Sequence, residues 1–256
     1  MRRETGKRLY AGSTVTVNDR NIAHIPEVVS WVLDNADSIR ILSFLPVAEV
    51  GRTQDEAEGD LSLDAVWEKV CEGAATRLNR HAMYYGHTSC NITVPVVVVR
   101  YGDGRELIEV VRAHKPWDQR ALGLCLRNFS HCVDLNRGVL GNALPLMRSL
   151  MVKPGVTAEL ILHALYRLWG ARREVTTFLW HLITWRPASL RPLLLVVHKF
   201  MDEAELETEF GRERLNACVF RLPVEGRMVS MCEMNARMRR DINVAQGTAD
   251  GYSRRA

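Results

Sequence analysis

Between Ser13 and Val47 the chain reads strand, helix, strand with short connections, an order that leaves few folds open. Ser13-Thr-Val-Thr-Val17 has the β-branched content of a short buried strand, and Asn18-Asp-Arg-Asn21 supplies a turn with cap-forming side chains. Ile25-Pro-Glu-Val-Val-Ser-Trp31-Val-Leu33 carries Pro and Glu in its first turn and apolar residues at three-to-four spacing. That pattern predicts an amphipathic helix, ended by Asn35-Ala-Asp37, with a second strand beginning at Ile39 and running to Val47. Strands joined this way pair in parallel through a right-handed crossover, and two of them cannot close a barrel. The fold class is α/β.

Further along, Ser62 to Asn79 predicts a helix with Ser62 as N-cap and Leu63, Val66, Trp67, Val70 and Cys71 on one face, where Cys71 serves as a small core residue. Val94 to Arg100 reads as a strand followed by the turn Gly102-Asp-Gly104. From Glu106 to about Trp185 the chain is expected to be largely helical, broken around Pro116, Gly138 to Pro145 and Pro154-Gly155. Pro187 and Pro192 bracket a stretch expected to be irregular, and Asp202 is a candidate N-cap with Glu205 as its reciprocal partner. Ala245 onward is small, polar and basic, the composition of a frayed tail.

Composition narrows the function classes. Of 256 residues, 47% are apolar and 25% charged, which suits an ordinary globule with a sizeable core. The net charge of +4 comes from arginines spread along the chain, with local clusters at Arg172-Arg173 and Arg237 to Arg240 that read as solvated helix faces. No nucleic-acid partner is expected. The apolar runs Val94 to Val99 and Pro192 to Val197 fall far short of the roughly 20 residues a membrane span needs, and MRRETGKRLY has no apolar core of a signal peptide. A cytoplasmic location is expected, where the six cysteines are reduced thiols or metal ligands. No Gly-x-Ser-x-Gly, P-loop or Gly-x-Gly-x-x-Gly occurs, so serine-hydrolase, nucleotidase and dinucleotide readings lack their geometry.

Two groups of residues remain that carry chemistry. Gly86-His87-Thr-Ser-Cys90 sets an imidazole and a thiol three positions apart in one loop. Cys218 and Cys232, 14 positions apart, flank Pro223-Val-Glu-Gly226, a turn that folds the intervening chain back on itself. Plain packing is the alternative for both: Cys218 as a buried strand residue, and Cys232 facing inward from a strand over Met228 to Met234. His198 reads first as a satisfied core histidine, with ligation or donation to a substrate as its other roles.

The ending His198-Lys-Phe-Met-Asp202, Cys218, Gly226, Cys232-Glu-Met-Asn235 resembles the C-terminal extension of a group of radical S-adenosylmethionine (SAM) iron–sulfur enzymes. Residues of about 10–55, through Ile41-Leu-Ser-Phe-Leu-Pro46 and Val50-Gly-Arg-Thr53, resemble the last two strands of the six-stranded half-barrel of that family, and the resemblance of the ending covers about 195–236. The resemblance implies the end of a partial (β/α)6 barrel over 1–80, a largely helical α+β extension with an auxiliary iron site over 81–244, and a tail over 245–256. It implies SAM contacts from Thr16, Asn18, Pro46 and Gly51 at the strand ends, and iron held by Cys90, Cys218 and Cys232 as a cluster or a mononuclear site. His87, Cys125 and Cys132 follow in that order as the fourth ligand. The cluster loop Cys-x-x-x-Cys-x-x-Cys occurs nowhere in the chain. The expectation is therefore a chain inactive alone, completed by a subunit or upstream segment that carries that loop, with the strand edge at Thr14 to Val17 left unpaired. The bland alternative is a noncatalytic scaffold or a zinc-stabilised module that kept the fold.

Overall fold

A computed structural model describes residues 10–48, 61–83, 85–101, 104–129, 147–148, 151–184, 188–224 and 226–238. The predicted opening is present. β1 (Ala11–Val17) and β2 (Ile39–Pro46) pair in parallel, from Ala11 opposite Ile39 to Val17 opposite Pro46, and α1 (Ile25–Asp34) connects them. Pro26 sits in the first turn of α1, Asn35 caps its end, and Ile25, Val29, Val32 and Leu33 are buried at the spacing of one helix face.

α2 (Leu63–Gly73) begins where Ser62 predicts, its hydroxyl accepting a hydrogen bond from the Ala65 N–H at 3.1 Å. The helix stops at Gly73, six residues before Asn79, the predicted end, and the chain turns back so that Trp67 Nε1 donates to Leu78 O. Gly73 is where α2 meets α1. A β-carbon there would lie 2.5 Å from Pro26 O and 2.8 Å from Val29 Cβ, inside contact with fixed backbone. Gly73→Ala is therefore expected to destabilise the fold by about 1–3 kcal/mol, because overpacking outweighs the better helix propensity of alanine. Urea unfolding followed by circular dichroism reads this directly, and a neutral or stabilised variant would show that the two helices slide apart freely.

β3 (Asn91–Tyr101) and β4 (Gly104–Glu109) form the predicted hairpin, with Tyr101 opposite Gly104. Helix was expected from Glu106, but the strand continues to Glu109 because Val96 to Val99 supply its ladder. The helices that follow are α3 (Pro116–Phe129), α4 (Pro154–Gly170) and α5 (Arg172–Ile183). The segment read as irregular around Pro192 is instead a central strand, β5 (Ala188–His198). Pro192 is tolerated because β2 pairs with β5 only over Leu194 to Val197, so nothing on that side demands the missing N–H.

The sheet is open and mixed, in the order β1-β2-β5-β3-β4, with β1, β2 and β5 parallel and β3 antiparallel to β5. The chain is thus α/β, and β1 is an edge strand among the described residues. One core joins Val17, Leu42, Phe44, Ile92, Val94, Leu195 and Val197 from the sheet to Val29, Leu33, Val66 and Val70 from α1 and α2. Beyond β5 come α6 (Glu203–Leu206), α7 (Glu209–Ala217), the hairpin β6 (Arg221–Val224) and β7 (Arg227–Ser230), and the short turn α8 (Met231–Glu233). Gly226, with φ 80°, makes the predicted turn between β6 and β7. No helix among the described residues is long and apolar enough to cross a membrane. The predicted tail at 245–256 lies outside the described residues.

Candidate functional site

The carboxyl ends of β1, β2 and β5 and the amino end of β3 lie along one edge of the sheet, because the first three strands are parallel and β3 runs against them. Val17, Pro46, His198 and Asn91 mark that edge. The Lys199 N–H donates to Cys90 O at 2.9 Å, so the pairing that joins His198 to Asn91 also fixes Cys90 beside the end of β5. Asn91, itself buried, holds the preceding loop by accepting from the Tyr85 N–H at 3.1 Å. The same loop lies on the end of α7: Gly86, with φ +71°, leaves room for Ala217 O, which a β-carbon would approach to 2.6 Å. Cys90 and Cys218 are thereby brought to one region from distant parts of the chain.

Cys218 is the C-cap of α7, and not the buried strand residue of the alternative reading. Arg221 donates to Cys218 O, Leu215 O and Asn216 O at 2.9, 3.2 and 3.1 Å, neutralising the helix end. Cys232 sits in α8, a helical turn capped by Ser230, and not in the strand read over Met228 to Met234, because β7 stops at Ser230. The Met231 N–H donates to Phe220 O at 2.8 Å, and Cys232 is buried with Met201, Leu206 and Ala236. Burial pushes the Cys232 thiol up to about 11; a backbone contact from Met201 opposes this, and the neighbouring Cys218 and Cys90 add to it.

Arg214 stands at the centre of this group. It is 3% exposed, and its Nε donates to Cys90 Sγ at 3.3 Å, Nη2 to Lys199 O at 3.2 Å and Nη1 to the Glu205 carboxylate. Burial works against its charge, yet Cys90 and Glu205 outweigh it and leave the guanidinium pKa raised. The pairing also corrects the predicted capping box: Asp202 is the N-cap of α6 without a side-chain cap hydrogen bond, and Glu205 serves Arg214. His198 is packed between Phe200 and Phe220, its pKa lowered to about 4 by burial and then by Arg214, so it is a neutral core histidine at pH 7.

The remaining expected site residues are placed as follows. His87 Nδ1 accepts from the Ser89 N–H at 3.2 Å and Nε2 lies 3.5 Å from Glu213, so both ring nitrogens are engaged away from the thiols. Cys125 is on α3, where burial alone raises its thiol pKa, and Cys132 lies outside the described residues. Cys71 is half-buried beside Leu78 O, as a core residue should be. At the strand ends, Asn18 Oδ1 accepts from the Arg20 and Asn21 N–H groups at 3.1 and 3.2 Å, while Asn21 Nδ2 donates to Thr16 O. That closes the turn after β1, so turn formation accounts for Asn18. Pro46 ends β2, two residues beyond Phe44, which pairs with Val197. Gly51 lies outside the described residues.

A polar cleft of about 550 Å³ opens beside Arg214, lined by Arg80 and Lys199 as well as Asp64, Asp202 and Glu205, with Ser89 next to Cys90. Its three cations and three carboxylates balance. Among the described residues no three His, Cys, Asp or Glu side chains are gathered tightly enough to grip a single metal ion. The expected set of Cys90, Cys218, Cys232 and His87 is thus not gathered as a metal site. No protein-family model matches the chain, and no curated protein matches its sequence. Sequence reasoning missed Arg214, since nothing local separates it from Arg212 on the same helix.

Proposed function

We propose that this chain is the C-terminal part of a radical SAM-type protein, its strands the end of a partial barrel and its Cys90, Cys218 and Cys232 the ligands of an auxiliary iron–sulfur cluster. The observation that carries this reading is the placement of Cys90 beside the end of β5, on the strand-end edge where Pro46 also lies, with the Gly86 loop packed on the helix end that Cys218 caps. When bound, such a cluster supplies electron transfer or an anchoring site for a substrate.

The chain's own residues have defined work in that reading. Arg214 offsets thiolate charge at Cys90 and seats the loop against α7. Cys232 carries a raised thiol pKa and gives up its proton only to a strong competitor such as iron. The balanced cleft, which Arg214 lines, is the place in this reading for a polar small molecule. SAM binding falls to Thr16, Pro46 and Gly51, with Asn18 shaping the turn, and SAM cleavage falls to a partner or upstream segment that supplies the missing cluster loop. We place the protein in the cytoplasm, where the thiols stay reduced.

The second reading, a noncatalytic scaffold that kept the fold, is favoured by one observation: no tight ligand group exists among the described residues. A zinc-stabilised module needs such a group and is the weaker form of it. Anaerobic iron–sulfur reconstitution separates them. We expect bound iron and sulfide with visible absorption in the wild type, and loss of both in Cys232→Ser. Iron absent from both proteins selects the scaffold, and bound zinc without visible absorption selects the zinc module.

A further inference from the structure

α4 is packed inside out. Its inward face is polar: Glu159 meets Arg120, while His163 and Arg167 meet Asp118, and Arg167 also donates to Glu109 O. Its outward face is apolar, with Ile161, Leu165 and Leu168 about half exposed and Trp169 74% exposed. α5 follows after Ala171 and adds exposed Trp180 and Ile183. An amphipathic helix in water turns the other way, so this face is shaped for a nonaqueous neighbour.

Charge indicates which neighbour. Among the described residues of α4 and α5, the charged side chains in the exposed class are Arg172 and Arg173, whereas Glu159 and Glu174 are half-buried. Arg172 lies over the Trp169 ring, 5.9 Å from its centroid, so cation and indole share one location. A second copy docked face to face through this surface would meet the same basic pair with no exposed carboxylate on either helix to match it. Anionic headgroups supply that match, and α4, 17 residues and about 25 Å long, is polar along one side and suited to lying in an interface.

We propose that α4 and α5 dock on the surface of an anionic phospholipid bilayer. Trp169, Trp180 and the aliphatic side chains enter the acyl boundary, and Arg172 and Arg173 lie at the level of the phosphates. This surface is separate from the thiol group and does not depend on its being metallated.

Flotation of the full-length chain with phosphatidylcholine vesicles, alone or enriched in phosphatidylserine, tests it. Binding is expected to the phosphatidylserine vesicles and to weaken with added salt. Replacing both arginines, Arg172→Gln with Arg173→Gln, is expected to lower partitioning about 25-fold, at roughly fivefold per basic side chain. Trp169→Ser with Trp180→Ser is expected to lower it about tenfold or more, and circular dichroism should be unchanged in both variants because these side chains are exposed. The proposal fails if neither vesicle binds or if both variants bind like the wild type. It also fails if the chain is a dimer that Trp169→Ser dissociates, since a second copy would then cover the face.

Discussion

Asp118→Ala is expected to destabilise the protein by about 3–5 kcal/mol, as removal of one member of a buried charge cluster does. The Asp118 side chain is 0% exposed and is held by Arg112, His163 and Arg167. Arg112 approaches through its backbone N–H at 3.0 Å, Nε at 2.8 Å and Nη2 at 3.0 Å, His163 through Nε2 at 2.9 Å and Arg167 through Nη1 at 3.1 Å. Without the carboxylate, two guanidiniums and an imidazole face one another, and α4 loses its main attachment to the start of α3. The effect should appear in urea unfolding at pH 7 as a lower midpoint, preceded by loss of helical signal as α4 separates. The Arg120–Glu159 pair, whose arginine is 68% exposed, is the control, and Arg120→Ala should leave the midpoint nearly in place.

The same cluster predicts a pH dependence. Burial raises the Asp118 pKa, but Arg112, His163 and Arg167 outweigh it and hold the carboxyl well below the usual carboxylate range. A depressed folded-state pKa stabilises the fold fully above the unfolded value of about 4, and this contribution is lost as pH falls below it. The wild type should therefore lose stability steeply on acidification below pH about 4, and Asp118→Asn, already weakened at neutral pH, should show a flatter acid limb. Parallel limbs in the two proteins would place the acid sensitivity elsewhere.

Arg214→Leu is the second large expected effect, at about 3 kcal/mol, the low end for a broken buried pair because Glu205 is 24% exposed and can turn to water. Three partners are lost together: the Cys90 thiol, Lys199 O and Glu205. Arg214→Lys keeps the charge but cannot reach all three from one ammonium, so an intermediate loss is expected. Thermal unfolding reads the ranking Arg, Lys, Leu from most to least stable. If lysine fully restores stability, the planar fork is unimportant and the region is held by charge alone.

Legibility followed the range over which each feature is encoded. The parallel pair, α1, the Ser62 cap, the pairing of β3 with β4 and the turn at Gly226 were readable because their periodicity and turn chemistry act within a few residues. β5 was not, since Pro192 breaks the local pattern and is acceptable only where β2 stops pairing. β4 was too short to outweigh the helical signals after Glu106. The strand readings for Cys218 and Cys232 failed, because β7 is only four residues long and both residues sit at helix ends.

By itself the sequence determined the α/β class, the strand-helix-strand opening and the return of Cys232 toward Cys218, all products of local pattern and short turns. Only the tertiary structure decided that β5 enters between β2 and β3, carrying Lys199 to Cys90, that Arg214 and not Arg212 faces the thiols, and that α4 turns its apolar side outward. Each of these depends on which distant segment supplies the neighbour: a backbone partner for β5, a carboxylate for Arg214, and the buried Asp118 that draws the polar side of α4 inward.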